Sequence, residues 1–235
     1  MIKTIFFDLD GTLLPMDQDI FLRDYFDRMA EKMIPYGYDA QTLKNNIWTS
    51  TGAMVKNNGT VTNEEAFWNA FSKLCGKDAR CDEAIFQDFY HNEFQEVQHS
   101  CGFDQRAANT IQTLKEQGYQ LILATNPLFP AVATQSRIRW AGLNPDNFDW
   151  ITTYENSSYC KPNVAYYQEI LDRWNLTPEE CIMVGNDAEE DMAAASAGMN
   201  VFLLTDCLIN KYNKDIADFP QGSFPELLIY IQNLR

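Results

Sequence analysis

Apolar and polar positions follow two different rhythms along this chain, and the change of rhythm divides it. Near the N-terminus, Thr4-Ile5-Phe6-Phe7 is a short β-prone run with almost no polar interruption, the mark of a strand buried on both faces. From Gln105 onward, strand-like and helix-like runs alternate. Residues 105–117 place Ala107, Ala108, Ile111 and Leu114 on one helical face and close at Gly118; residues 120–125 read as a buried strand, and 130–141 as a helix ending at Gly142. A strand follows over 148–153, then a helix over 163–174 with Tyr167, Ile170, Leu171 and Trp174 on one face. Residues 181–185 are a strand, 189–197 a short Ala-rich helix stopped by Gly198, and 200–204 a strand; Ser223 and Glu226 offer a capping box for a last helix to about Asn233. Repeated β–α units of this length predict an α/β fold, a parallel sheet covered by helices on both faces.

Residues 15–95 break the pattern, with no convincing strand. Leu22, Tyr25, Phe26, Met29 and Met33 mark one amphipathic helix; Thr62 and Glu65 cap a second that buries Phe67, Ala70, Phe71 and Leu74; Phe86, Phe89, Tyr90, Phe94 and Val97 mark a third. Asn57-Asn58-Gly59 reads as a turn between them. An all-helical segment is therefore inserted after the first strand, and the expected division is a core of 1–14 and 96–235 with a helical domain of 15–95.

The chain of 235 residues is long enough to bury a real core, and its net charge of −15 argues against non-specific nucleic-acid binding. No apolar run approaches a membrane span, and the first strand begins too early for a secretory leader. Six cysteines without a CxxC pair read as reduced thiols in a cytoplasmic protein, with Cys160 a small packing residue. A monomer is expected. His91 and His99 have no partner at metal or nucleophile spacing and read as surface or structural residues, while Trp48, Phe67, Trp68, Tyr90 and Phe129 read as core or domain lining.

The candidate chemistry starts where the first strand ends, at Asp8-Leu9-Asp10-Gly11-Thr12. Side chains alternate along a strand, so Asp8 and Asp10 share a face, and Gly11 lets the chain turn so that both lean into one pocket. Two clustered carboxylates repel unless a cation or a shared proton relieves them. A strand closed by an Asp-Gly turn is the plainer reading of these residues alone. Three further segments lie at strand ends, in order: one ending in Thr125-Asn126, then Cys160-Lys161-Pro162, then Ile182 to Asp191.

Taken together, these four segments resemble the four motifs of the haloacid dehalogenase-like hydrolases, which are mostly phosphatases with an aspartate nucleophile. The resemblance spans roughly Met1 to Leu204. It implies a Rossmann-like core, and in residues 15–95 the helical cap of subfamily I, hinged near Leu14–Asp17 and near Ser100–Asp104 over the carboxyl ends of the strands. Asp8 then forms an aspartyl-phosphate and gives an oxygen to a metal; Asp10 is the general acid/base, its pKa raised by its neighbour, and ligates the metal through its backbone carbonyl. Gly11 and Thr12 supply turn geometry and backbone donors near the phosphate. Thr125 and the Asn126 N–H hold phosphoryl oxygens, and Lys161 neutralises them, held extended by a Pro162 at a first helical position.

Hard oxygen ligands specify Mg²⁺. The fourth segment departs from the common pattern by carrying Asn186 directly after Gly185. Asp187 is the expected direct ligand with Asp191 behind it, and Asn186 could instead ligate through its amide oxygen; Glu189 and Glu190 read as charges at a helix start. The implied function is Mg²⁺-dependent hydrolysis of a small phosphorylated metabolite. Asp10 argues against a 2-haloacid dehalogenase. The same four segments would also serve a phosphomutase, or survive in a catalytically idle binding protein.

Overall fold

The computed structural model describes residues 1–234. The chain runs β1 (Thr4–Phe7), α1 (Gln18–Met33), α2 (Ala40–Val55), α3 (Asn63–Cys75), α4 (Glu83–His91), α5 (Gln105–Glu116), β2 (Gln120–Leu123), α6 (Ala131–Trp140), β3 (Trp150–Ile151), α7 (Val164–Trp174), β4 (Cys181–Gly185), β5 (Asn200–Leu204), β6 (Gln221–Gly222) and α8 (Phe224–Asn233). The six strands form one sheet in the order β3-β2-β1-β4-β5-β6, with every neighbouring pair parallel. The order reverses at β1, and in open parallel sheets that switch point is where ligands bind, outside the carboxyl ends of the strands.

The two-residue period of a strand sorts β1 between two cores. Ile5 and Phe7 enter the larger one with Leu121, Leu123, Ile182 and Val184, beneath α5, α6 and α8; Phe6 enters the other with Ile122, Met183 and the α7 residues Tyr167 and Ile170. Both faces of β1 are thus covered, which is why its residues read as a continuous apolar run.

Helices α1 to α4 lie within residues 18–91, and no strand occurs there. The segments that lead into and out of them run side by side: Met16 bridges Cys101 in antiparallel fashion, and Gly102 N–H donates to Pro15 O at 2.7 Å. Helix α2 is absent from the sequence reading. Its buried stripe is Leu43, Ile47, Ser50 and Met54, and the Asn and Thr residues around it dilute the apolar signal. The stretch marked by Phe86 to Val97 is not one helix. It breaks at Asn92 (φ −116°, ψ −89°) into α4 and a 3₁₀ segment, Glu93–Ser100. Leu74, expected to be buried, is 45% exposed.

Three other expectations change. The strand over 148–153 shrinks to two residues, because Asp149 turns its carboxylate to Leu121 N–H (2.9 Å) and Thr152 its hydroxyl to Thr125 O (2.7 Å). The helix over 189–197 becomes a 3₁₀ segment, Met192–Ala197, because side chains already tie the backbone at 187–191. Pro162 is not the first residue of α7; the helix starts at Val164, capped by the Asn163 side chain, which accepts from Ala165 N–H, and the Lys161–Pro162 peptide is cis. All six cysteines are free thiols, and burial pushes Cys160 and Cys181 up to about 12, which makes them inert packing groups.

Candidate active site

The strand ends deliver the expected residues to one place. Asp8, Asp10, Thr125, Asn126, Asn186, Asp187 and Asp191 line a single cavity of about 150 Å³, and Lys161 and Thr12 reach it through hydrogen bonds to Asp8. Asp8 continues the ladder one residue past β1, its N–H donating to Val184 O at 2.9 Å, so its carboxylate is fixed at the sheet edge. The chain then turns tightly. Gly11 has φ +87°, and a Cβ there would lie 2.4 Å from Asn186 Nδ2; glycine is required on both counts. The Gly11 N–H donates to Leu14 O and the Thr12 N–H to Leu9 O, at 2.8 and 3.2 Å. The expectation that these two N–H groups serve a phosphate is therefore corrected: the turn itself uses them.

Lys161 is buried, 1% exposed, and its Nζ donates to Asp8 Oδ1 at 2.9 Å and to Asp191 Oδ1 at 2.6 Å. Burial works against its charge, but Asp191 and Asp8 outweigh it and hold the ammonium protonated well above the ordinary lysine range. The other Asp191 oxygen accepts from Asp187 N–H at 2.9 Å, and this fold-back leaves no room at Gly185, where a Cβ would lie 2.0 Å from Asp191 Oδ2.

Asp10 brings in a residue that the sequence reading missed. Its Oδ2 accepts from Arg137 Nη1, while its Oδ1 is buried without a partner among the described residues. Arg137 is fully buried on α6, with its guanidinium 4.4 Å from the Phe129 ring centroid. Burial raises the Asp10 pKa; Arg137 opposes this, and the neighbouring Asp8 adds to it. The expected cause, a like charge next door, is real but is not the largest. A signal for Arg137 exists in the sequence. It falls on the buried face of α6 with Ala133, Thr134 and Ile138, and an arginine on such a face has a partner.

Thr12 has one hydroxyl proton but faces two acceptors, Asp8 Oδ2 at 3.1 Å and Asn186 Oδ1 at 2.8 Å. The Asn186 amide is turned this way because its Nδ2 donates to Cys207 O at 2.7 Å. One of the two oxygens is always short of a positive partner, which is the condition a cation relieves. Asp187 is engaged differently: its Oδ1 accepts from the Glu189 and Glu190 N–H groups at 2.7 and 2.9 Å.

Glu190 is more than a charge at a helix start. It lines the cavity and accepts from Asn126 Nδ2 at 2.9 Å. Burial pushes its carboxyl up to about 8, with Lys161 opposing and Asp191 and Asp187 adding. Glu189 by contrast pairs with Lys214 at the surface. Thr125 Oγ1 and the Asn126 N–H make no hydrogen bond among the described residues and face a cavity with room for an oxyanion.

Five carboxyl groups (Asp8, Asp10, Asp187, Glu190, Asp191) thus line a cavity served by two cations, Lys161 and Arg137. The burial of Glu190 among these carboxyls has a measurable consequence. The folded protein holds the Glu190 proton up to about pH 8, whereas the unfolded chain releases it near the ordinary value of 4.5. Over that window the folded state binds more protons, so stability falls as pH rises. The fall is a few kcal/mol at most, because each tenfold gain in proton affinity is worth on the order of 1.4 kcal/mol before screening. We expect the melting temperature in a chelator to fall from pH 5 to pH 8, and Glu190→Gln to flatten that slope. A melting temperature that rises over this window, or a slope unchanged in the variant, would contradict the assignment.

A family model described as haloacid dehalogenase-like hydrolase matches residues 2–198. A phosphoglycolate phosphatase of Aliivibrio fischeri is 28% identical over 208 residues, covering 87% of this chain and 84% of that protein. A glyceraldehyde 3-phosphate phosphatase of Methanothermobacter thermautotrophicus is 26% identical over 212 residues, covering 87% and 86%. Among solved structures, a predicted phosphoglycolate phosphatase from Haemophilus somnus superimposes with a TM-score of 0.60 at 22% identity, covering 98% of both chains, a likeness of fold. With the four motif segments meeting at one sheet edge, the chain belongs to the haloacid dehalogenase-like hydrolases.

Proposed function

We propose that the protein is a Mg²⁺-dependent phosphatase that hydrolyses a small phosphorylated metabolite through an aspartyl-phosphate on Asp8. The observation that carries this reading is Asp10. Its raised pKa and one unpartnered oxygen, beside a carboxylate already oriented by Lys161 and Thr12, suit a group that gives and takes a proton. A dehalogenase has no use for such an acid. The names of the two relatives point to small phosphate esters as the substrate class.

Asp8 attacks phosphorus, the bond to the leaving oxygen breaks, and Asp10 delivers its proton to that oxygen. A water then attacks the same phosphorus and gives its proton to Asp10, and the bond to Asp8 breaks. Lys161 neutralises the phosphoryl oxygens, and Thr125 Oγ1 with the Asn126 N–H receives one of them. Arg137 holds Asp10 without touching the substrate.

The donor set fits Mg²⁺: oxygen atoms only, with the Asp8–Thr12–Asn186 arrangement one positive partner short. Asp8, the Asp10 carbonyl and Asn186 would hold the ion, with Asp187 a weaker choice because backbone N–H groups occupy its Oδ1. When bound, Mg²⁺ supplies charge neutralisation at the phosphoryl group.

Residues 15–95 act in this reading as a cap, hinged where Met16 meets Cys101, that closes over the sheet edge and excludes water. In this reading the enzyme works as a monomer, and in the cytoplasm, where its free thiols are stable. Among the described residues no helix is long and apolar enough to cross a membrane.

The test is phosphate release from a panel of phosphomonoesters with and without Mg²⁺. We expect metal-dependent release by the wild type and a loss of at least about 10³-fold in Asp8→Asn, as for other removed nucleophiles. Release that persists in Asp8→Asn would remove Asp8 from the mechanism.

A further inference from the structure

The catalytic cavity of about 150 Å³ is of the size that holds a benzene ring, room for a phosphoryl group and a small remainder of substrate. The bulk of a larger substrate must lie elsewhere. A second cavity, of about 490 Å³, shares Gln18, Leu22, Leu128, Phe129 and Glu190 with the first as common lining and extends away beneath α1 to α4. Its size is that of an ordinary small-molecule site.

The lining is unusual in composition. Nine of its twenty-one residues are aromatic, among them Phe26, Trp48, Phe67, Phe129 and Tyr154. These rings are not all absorbed by the core: Trp48 is 62% exposed, and Val55 on the same helix 46%. Large apolar groups left facing an open cavity are costly unless something covers them. The cavity is also poor in cations. Its only two, Lys56 and Lys211, are exposed, while Lys161 and Arg137 are committed to Asp8, Asp191 and Asp10. A substrate with a second anionic group would find no buried partner here. The side-chain amides of Gln18 and Gln87, also in the lining, make no hydrogen bond among the described residues.

We propose that the substrate is a phosphomonoester whose alcohol half carries a planar ring system, seated against this aromatic wall. Flat rings stack on aromatic side chains, and ring heteroatoms can meet the two glutamine amides. The proposal rests on the phosphatase reading and narrows its substrate class.

Two matched pairs test it in the Mg²⁺-loaded protein: a nucleoside 5′-monophosphate against ribose 5-phosphate, and benzyl phosphate against ethyl phosphate. Within each pair the leaving oxygen is a primary alkoxide and only the ring differs. We expect kcat/KM to favour the ring-bearing member at least tenfold in both pairs. Gly52 supplies the variant. It lies in α2 on the cavity wall, and a Cβ there meets nothing within 4 Å, so Gly52→Leu fills the cavity while improving a helix position. The expected result is a collapse of both ratios towards one. Calorimetry with benzylphosphonate and methylphosphonate, which cannot be hydrolysed, gives a readout independent of turnover; the benzyl compound should bind at least tenfold tighter, and lose that advantage in Gly52→Leu. Tighter benzyl binding without hydrolysis of any ester would sustain the ring site and sink the phosphatase reading. Turnover with ratios near one, equal phosphonate binding, or phosphoglycolate outperforming the nucleoside monophosphate would overturn the ring site and leave the phosphatase standing.

Discussion

Lys161→Met is expected to reduce phosphate release by at least about 10³-fold and to destabilise the protein by about 3–5 kcal/mol, the usual cost of removing one partner from a buried ion pair. Both effects follow from the same geometry. The ammonium is the shared partner of Asp8 and Asp191, at 2.9 and 2.6 Å, and it is buried, so no water replaces it. The pH dependence separates this account from simple loss of packing. Burial already pushes the Asp191 carboxyl up to about 6, with Lys161 the chief charge opposing it, so without the lysine that carboxyl moves further towards its neutral form. A group shifted that way contributes stability at low pH and loses it as pH rises through the folded value. The gap in melting temperature between wild type and variant should therefore be wider at pH 8 than at pH 5. An equal gap at both would mean that the methionine merely packs badly.

Asp10→Asn carries the second large effect, a loss of about 10²–10⁴ in steady-state rate, the range for removal of a general acid or base. Its diagnostic feature is how the loss divides between the two chemical steps. p-Nitrophenol is a good leaving group and departs without a proton, so the first step should survive while water activation in the second fails. The variant should release one equivalent of p-nitrophenol per site in a burst and then turn over slowly. Steady loss with no burst would contradict the assignment of Asp10 to the second step. Some loss of stability is expected as well, since Arg137 is fully buried and Asp10 is its ion-pair partner.

The parts of this site that could be read in the sequence are those fixed by local rules. β1 and β4 are short, apolar and buried on both faces, so their ends could be located, and with them Asp8, Asp10 and the Asn186–Asp191 segment. Lys161 was identifiable only through the order and spacing of the motif segments, because nothing local marks a lysine as buried. The features that escaped depend on distant partners. Arg137 is 127 residues from Asp10 along the chain, and Glu190 is 64 from Asn126. The 3₁₀ segment in place of a helix after Asp191 follows side-chain ties to the backbone at 187–191, where one Asp191 oxygen accepts from Asp187 N–H while the other accepts from Lys161, 30 positions away. Helix α2 was missed for a different reason. Its inward stripe includes Ser50, and Gly52 and several amides weaken its periodicity. That same weakness gives α2 the open position on the cavity wall that the ring-binding proposal uses.

The most direct test of the central claim is the covalent state of Asp8 during turnover. Wild-type protein mixed with Mg²⁺ and p-nitrophenyl phosphate, quenched in acid and digested, should yield a phosphorylated peptide with the phosphoryl group on Asp8. The adduct should be more abundant in Asp10→Asn and missing in Asp8→Asn. Phosphate released at full rate with no adduct on Asp8 in either the wild type or Asp10→Asn would contradict the aspartyl-phosphate mechanism, and a water-attack mechanism would take its place.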